Sequence, residues 1–237
     1  MTPKSEASPD TGATISLVLN VRKPIGWTSF DVVRLIKQQL PKRKIGHAGT
    51  LDPFAEGVLL VCLGKATKKV PELMTLEKEY KARISFGLAT DTLDVTGRII
   101  DKRQVSSLTR EHLQQVCLQF FGDIEQVPPA FSAVKMQGQR LYNLARQGHA
   151  VEAKARRVRV HAIEVLTINH EDVEFRVTCS KGTYIRSLAR DIGSALGTCA
   201  FVRSLERTRV GPYEAKAAIE INEIKNYLIH LFPDKKL

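Results

Sequence analysis

The stretch from residue 44 to 59, KIGHAGTLDPFAEGVL, restricts the fold more than any other part of the chain. Gly46 and Gly49 permit backbone angles or close approaches that a Cβ would forbid. Pro53 fixes its own φ and drives Asp52 out of the helical region. The apolar run at 59–63 reads as a buried strand. Together they describe a shaped loop that presents one carboxylate, Asp52, ahead of that strand. Asp before Pro is also a common turn opener, so pattern alone leaves Asp52 as either a turn residue or a chemical group.

Composition narrows the partner. The chain has 237 residues and a formal charge of +11, which favours a polyanion such as nucleic acid. Aromatics make up only 6%, too few for an extended platform that stacks many unpaired bases. Folded RNA, read by shape and phosphates, fits better. Cys62, Cys117, Cys179 and Cys199 are far apart and sit in apolar patterns, as reduced buried thiols do. The histidines form no ligand cluster, so no metal is expected. No apolar run approaches membrane-spanning length, and the N-terminus does not look like a signal peptide; a cytoplasmic protein is expected.

Residues 1–14 are rich in Ser, Thr, Pro and charge, and read as a flexible tail. Residues 15–21 read as a first strand. The turn KPIGWTS follows, in which Thr28 and Asp31 form a capping box for a helix with Val32, Val33, Ile36 and Leu40 on its apolar face. Lys23 in that turn can be a solvated residue. Lys42, Arg43 and Lys44 are a solvated face or a phosphate contact. Tyr80 opens a strand over 80–86, where an aromatic is most often core. Asp91 and Asp94 occupy a turn and are expected to bond its backbone. Thr109 caps a helix that carries Leu113, Val116, Cys117, Phe120 and Phe121 on one face, with Gly122 closing it. Two prolines stiffen residues 126–135, and Arg140 and Arg146 follow on a probable helix. Lys154, Arg156, Arg157 and Arg159 lead into a strand over 158–165, as a nucleic-acid contact or a charged edge strand. After a strand over 173–179 comes SKGTYIR, then a helix through Leu196 stopped by Gly197. Arg186 at that helix start opposes the macrodipole and gains nothing locally, which hints at a role.

The run Gly49-Thr50-Leu51-Asp52-Pro53-x-Ala55-x-Gly57-x-Leu59 resembles the catalytic motif of the TruB family, the bacterial tRNA pseudouridine-55 synthases. The resemblance extends from about residue 19 to 213 and includes the KPxGxTS, SKGTYIR and C-terminal Leu-Arg motifs in order. It implies an α+β fold, the pseudouridine synthase fold, with a mixed, mostly antiparallel sheet flanked by helices around a basic cleft. It implies isomerisation of uridine 55 in the tRNA T loop, with the base flipped out and Asp52 as the catalytic carboxylate. By the same resemblance Tyr80 stacks on the base, Arg186 pairs with Asp52, and Tyr184 shares the pocket. Leu205 packs on the base, His47 helps hold the T loop, and Lys23 lies near the site. An arginine beside Asp52 would favour its ionised form. No cofactor is needed, because the isomerisation is redox-neutral. tRNA is the expected partner of a monomer that needs no obligate protein partner.

Two departures from the family stand out. Glu206 occupies a position where the family usually has arginine, although Arg203, Arg207 and Arg209 keep the strip basic. Many relatives also continue into an RNA-binding PUA domain, whereas residues 214–237 suffice for one helix and a tail. The expected organisation is thus a tail over 1–14, a catalytic domain over 15–213 and a short C-terminal segment over 214–237. A non-catalytic RNA-binding module is a rival reading that does not need the shaped Asp-Pro loop. A synthase guided by a separate RNA, as in dyskerin-like relatives, is the other.

Overall fold

The computed structural model describes residues 16–132, 135–136, 139–140 and 154–232. The tail expected over 1–14 and Arg146 lie outside the described residues. In chain order the elements are β1 (Ser16–Lys23), α1 (Ser29–Gln39), β2 (Ile45–His47), β3 (Glu56–Gly64), a 3₁₀ turn (Lys65–Lys69) and α2 (Val70–Thr75). Next come β4 (Lys78–Phe86), β5 (Leu88–Thr90), β6 (Ile99–Lys102), α3 (Arg110–Leu118) and β7 (Gly122–Gln126). Two short strands, β8 (Lys135–Met136) and β9 (Gln139–Arg140), pair with each other. The chain then runs through β10 (Arg156–Asn169), β11 (Asp172–Cys179), α4 (Ile185–Ala195) and β12 (Ala200–Val210). It ends, among the described residues, with β13 (Tyr213–Glu214), β14 (Ile219–Glu220) and α5 (Ile224–Leu231).

One sheet dominates, in the order β14-β1-β3-β12-β4-β11-β10-β7, with β2 on β3 and β13 on β12. Its pairs are antiparallel except β1 with β14 and β3 with β12, which are parallel. This is the mixed α+β architecture expected. β3 is buried along nearly its whole length, so it reads as a continuous apolar run. β4 instead alternates: Lys78, Tyr80, Ala82, Ile84 and Phe86 all turn to the protected side. That face carries the larger core, closed by α3 and α4 through Leu113, Val116, Leu188 and Ile192. α1 and α5 close a second core over β1 and β3, with Val32, Ile36 and Leu228 fully covered. Each such aliphatic side chain stabilises the fold by about 1.5–3 kcal/mol.

Local signals hold in most places. Thr28 and Asp31 make the reciprocal capping box at α1, and Thr109 caps α3. Four expectations change. Arg140 lies in the short strand β9, not on a helix. The α3 helix ends at Leu118, and Phe121 beyond it is 62% exposed rather than core. Gly122, at φ +85°, opens β7. The basic strand β10 is no edge, because β7 pairs along its outer side.

The parallel seam between β3 and β12 sets Gly57 against Arg207. Gly57 has φ +106°, and a Cβ there would lie 2.3 Å from the Arg207 carbonyl oxygen. Gly57→Ala is therefore expected to destabilise the protein by about 3 kcal/mol, through both backbone strain and overlap. Chemical denaturation checks this; an unchanged midpoint would show that the seam is not close-packed.

Candidate active site

The Asp52 loop joins β2 to β3, and three separate elements fasten its backbone. At the start of α1, Ser29 Oγ accepts from Leu51 N at 2.9 Å and donates to Leu51 O at 3.3 Å. Gly26 N in the preceding turn donates to Pro53 O at 2.8 Å. From β12, Arg207 donates Nε to Val58 O at 2.7 Å, Nη1 to Thr50 O at 3.3 Å and Nη2 to Gly49 O at 3.2 Å. A guanidinium is a rigid fork of donors, so these bonds fix direction as well as position. Arg207 is only 1% exposed. It does not belong to the basic surface strip expected there, and its neighbours are also occupied. Arg203 reaches Asp172 at 3.3 Å and Arg209 reaches Glu77 at 2.8 Å. Glu206 meets Arg22 at 2.9 Å, and Arg22 also meets Glu56 at 3.1 Å, so the departure at Glu206 closes an ion cluster beside the loop.

Lys23 is no solvated turn residue either. It is fully buried and donates to Pro24 O at 2.8 Å and Trp27 O at 2.7 Å, which fixes the turn that grips Pro53. Burial, and then the Arg207 charge, push its ammonium down to about 8.

Asp52 faces the cleft with 32% of its side chain open, and Arg186 Nε stands 2.9 Å from its Oδ2. The Nε–H is not aimed squarely at that oxygen, so the contact is an ion pair more than a well-formed hydrogen bond. Arg186 comes from the first turn of α4, is 4% exposed, and is held from every side. Nη1 donates to Thr92 O at 2.9 Å and lies 3.3 Å from Asp94 Oδ2, while Nη2 donates to Phe131 O at 3.0 Å. Asp94 in turn accepts from Thr92 Oγ1 and Thr96 N. Burial raises the Asp52 carboxyl above the ordinary aspartate range; Arg186 opposes this, and the Asp94 carboxylate adds to it. The expectation that the arginine would dominate is thus corrected: desolvation outweighs it, and Arg186 offsets part of the rise.

The cleft encloses about 240 Å³ and is lined by Asp52, Tyr80, Tyr184, Arg186, Leu205 and Lys78, among others. This is below the range of about 300–1,000 Å³ for pockets that engulf a small ligand, and suits one base of a polymer. Tyr80 is 8% exposed, and burial pushes its phenol up against the opposing Arg207 charge. Tyr184 caps α4 and is gripped through its backbone by Gln126, whose Oε1 accepts at 2.7 Å and whose Nε2 donates at 3.0 Å. Lys23 and His47 are not in the lining. His47 sits in β2, its Nδ1 buried without a partner, and burial with the Arg207 charge lowers its pKa.

The model for the "TruB family pseudouridylate synthase (N terminal domain)" matches residues 37–185, and that for the "tRNA pseudouridylate synthase B C-terminal domain" matches 186–236. The chain belongs to the TruB family. It is 47% identical over 215 residues to the tRNA pseudouridine synthase B of Clostridium tetani, covering 91% of this chain and 74% of that protein. To the protein of that name from Francisella philomiragia it is 44% identical, over 88% of this chain and 70% of the other. Its fold is similar to a chain of a Cbf5-Nop10-Gar1 complex, with TM-score 0.71 and 35% identity over 94% of this chain. It is also similar to a chain of an H/ACA RNP bound to a substrate RNA containing 2'-deoxyuridine, with TM-score 0.69 and 32% identity over 97%. This chain spans 57% and 58% of those two solved chains.

In this TruB chain the junction between the two matched segments falls between Ile185 and Arg186, inside α4, while β12 beyond it lies between β3 and β4. Sequence reasoning missed two site residues. Asp94, expected to make turn bonds only, also pairs with Arg186, and Arg207, expected in a basic surface strip, is buried. The signal for Arg207 was Gly57, a glycine with no turn of its own to make. Arg207→Lys loses the fork but keeps the charge, so the loop should loosen. We expect kcat to fall about 10²-fold with KM changed less than threefold, as for a misplaced catalytic group; steady-state kinetics with equal loss in both would contradict it.

Proposed function

We propose that this chain is a tRNA pseudouridine synthase that isomerises uridine 55 in the T loop of tRNA, with Asp52 as its catalytic carboxylate. The observation that carries this reading is the Asp52–Arg186 pair at 2.9 Å in a cleft walled by Tyr80 and Leu205. The names of the Clostridium and Francisella relatives support the substrate class.

The reaction breaks the N-glycosidic bond of uridine, turns the base, and rejoins it through C5, whose hydrogen leaves. It needs one oriented carboxylate at the ribose, a grip on the loose base, and protection from water. Asp52 is the anion, held in direction by Arg186 and in position by the fastened loop. Tyr80 and Leu205 grip the base between a ring face and an aliphatic edge, as a base taken out of its stack requires. Arg186 lowers the cost of a charged Asp52 in this partly dry cleft. Lys42, Lys44, Lys65, Lys68 and Lys69 are all exposed, and Gly64 N, just before Lys65, donates to Lys44 O at 2.8 Å; these cations suit an RNA backbone. The same reading takes Tyr184 as a pocket wall and His47 as a residue that helps hold the T loop, with Lys23 near the site as the support of the turn. It also takes residues 15–213 as the catalytic domain of a monomeric cytoplasmic enzyme that needs no protein partner.

The test is tritium release from a tRNA transcript labelled at uridine C5. The wild type should release tritium, and Asp52→Asn should reduce the rate at least about 10³-fold with RNA affinity kept. Release by Asp52→Asn at the wild-type rate would remove Asp52 from the chemistry. No release by either, with RNA still bound, would favour a binding protein.

A further inference from the structure

Arg156 opens β10, directly opposite Gln126 in the β7 register. Gln126 spends both ends of its amide on the backbone of Tyr184, and the Arg156 guanidinium lies over the ring of that same tyrosine, 4.6 Å from its centroid. Such a stack holds the plane of the guanidinium by its face and leaves the N–H donors at its edge free. Two of these, Nε and Nη2, are shut off from water and have no hydrogen-bond partner. They share one edge of the guanidinium, the side-on fork that matches two oxygens of a phosphate or carboxylate. Among the described residues no carboxylate pairs with Arg156, unlike Arg159 on the same strand and Arg176 on the adjacent β11. A charged donor left unpaired in protein is more costly than a neutral one, so an edge of this kind calls for a ligand.

The position says which ligand. Gly182, at φ +82°, lines the Asp52 cleft together with Tyr184, and a Cβ on it would come within 3.7 Å of Arg156 Nη1. Arg156 therefore stands beside Gly182 and Tyr184, at the lip of the cleft and just outside its lining. A base that enters the cleft stays attached to its strand, so a phosphodiester must cross the lip. We propose that Arg156 is the receptor for a phosphate flanking the flipped uridine, with Tyr184 as the flat support of its guanidinium. Stacking fixes the plane but not rotation within it, and Arg156 as a residue is only half-buried, so the fork can turn outward to meet the oxygens. This gives Tyr184 a double part, cleft wall on one side and backing for a phosphate clamp on the other. The proposal rests on the RNA reading of the site given above.

The experiment measures binding, so that it does not depend on turnover. The full chain carrying Asp52→Asn is titrated with T-arm stem-loop RNAs, each with one uncharged methylphosphonate at a phosphodiester within two nucleotides of the target uridine. With Arg156 intact, one position should weaken binding about tenfold. With Arg156→Gln added, the same substitution should cost less than about twofold, and the slope of log K against log salt should fall by about 0.7. Arg156→Lys, a milder change, should keep the salt slope and lose most of the positional preference. If RNA binds but no methylphosphonate position couples to Arg156, the assignment is overturned and Arg156 merely packs on Tyr184. If none of the RNAs binds, the RNA reading itself falls, and the proposal with it.

Discussion

Burial in a cleft lined by Tyr80, Leu205 and Ile185 raises the Asp52 carboxyl above the ordinary aspartate value, and the Arg186 guanidinium opposes that shift. Arg186 has to be brought to Asp52 without being free to move away. The protein achieves this by engaging both of the arginine's Nη nitrogens, Nη1 with Thr92 O and the Asp94 carboxylate and Nη2 with Phe131 O. Arg186 is thus a buried cation shared between two carboxylates, one of which is itself committed to a turn. Removing one partner of such a group is far more damaging than never having built it, because the other charges remain buried. Much of the fold around the cleft can be read as support for this one contact.

The second buried guanidinium acts on geometry. Arg207 touches no carboxylate in the cleft; it fixes the main chain of the loop through Gly49, Thr50 and Val58. Its own main chain lies against Gly57, close enough to exclude any side chain there. The loop is therefore held from β12 by backbone contact and side-chain bonds together, from α1 by Ser29, and from the turn before α1 by Gly26. Burial, and after it the positive charge of Arg207, lowers the pKa of both Lys23 and His47.

What the sequence disclosed follows from how local each signal is. The capping box at Thr28, the strand through Tyr80 and the glycine stop at Gly197 rest on neighbours within a few residues, and all are found. The shaped loop announced Asp52 because Pro53 restricts its own backbone and that of Asp52, while Gly49 and Gly57 can take the positive φ the loop needs. Arg207 and Asp94 were hidden, since their partners lie far along the chain and an arginine in an alternating strand looks solvated. The pairing of β12 with β3 and β4, which sets Arg207 against Gly57 and Tyr80, is equally non-local. The outer position of β7 beside β10 could not be read either, because a basic strand looks the same at an edge as one strand in. For Asp52, the sequence showed the arginine but not the extent of burial, so the balance between the two was misjudged.

The balance at Asp52 is the central claim, and NMR titration of its isotopically labelled carboxyl tests it directly. The resonance would be assigned by its loss in Asp52→Asn, and the titration repeated in Arg186→Gln. The midpoint should lie above the ordinary aspartate value of about 3.9, and rise by at least about 1 pH unit without the guanidinium. A midpoint at or below the ordinary value in the wild type, or one that Arg186→Gln leaves unmoved, would contradict the account.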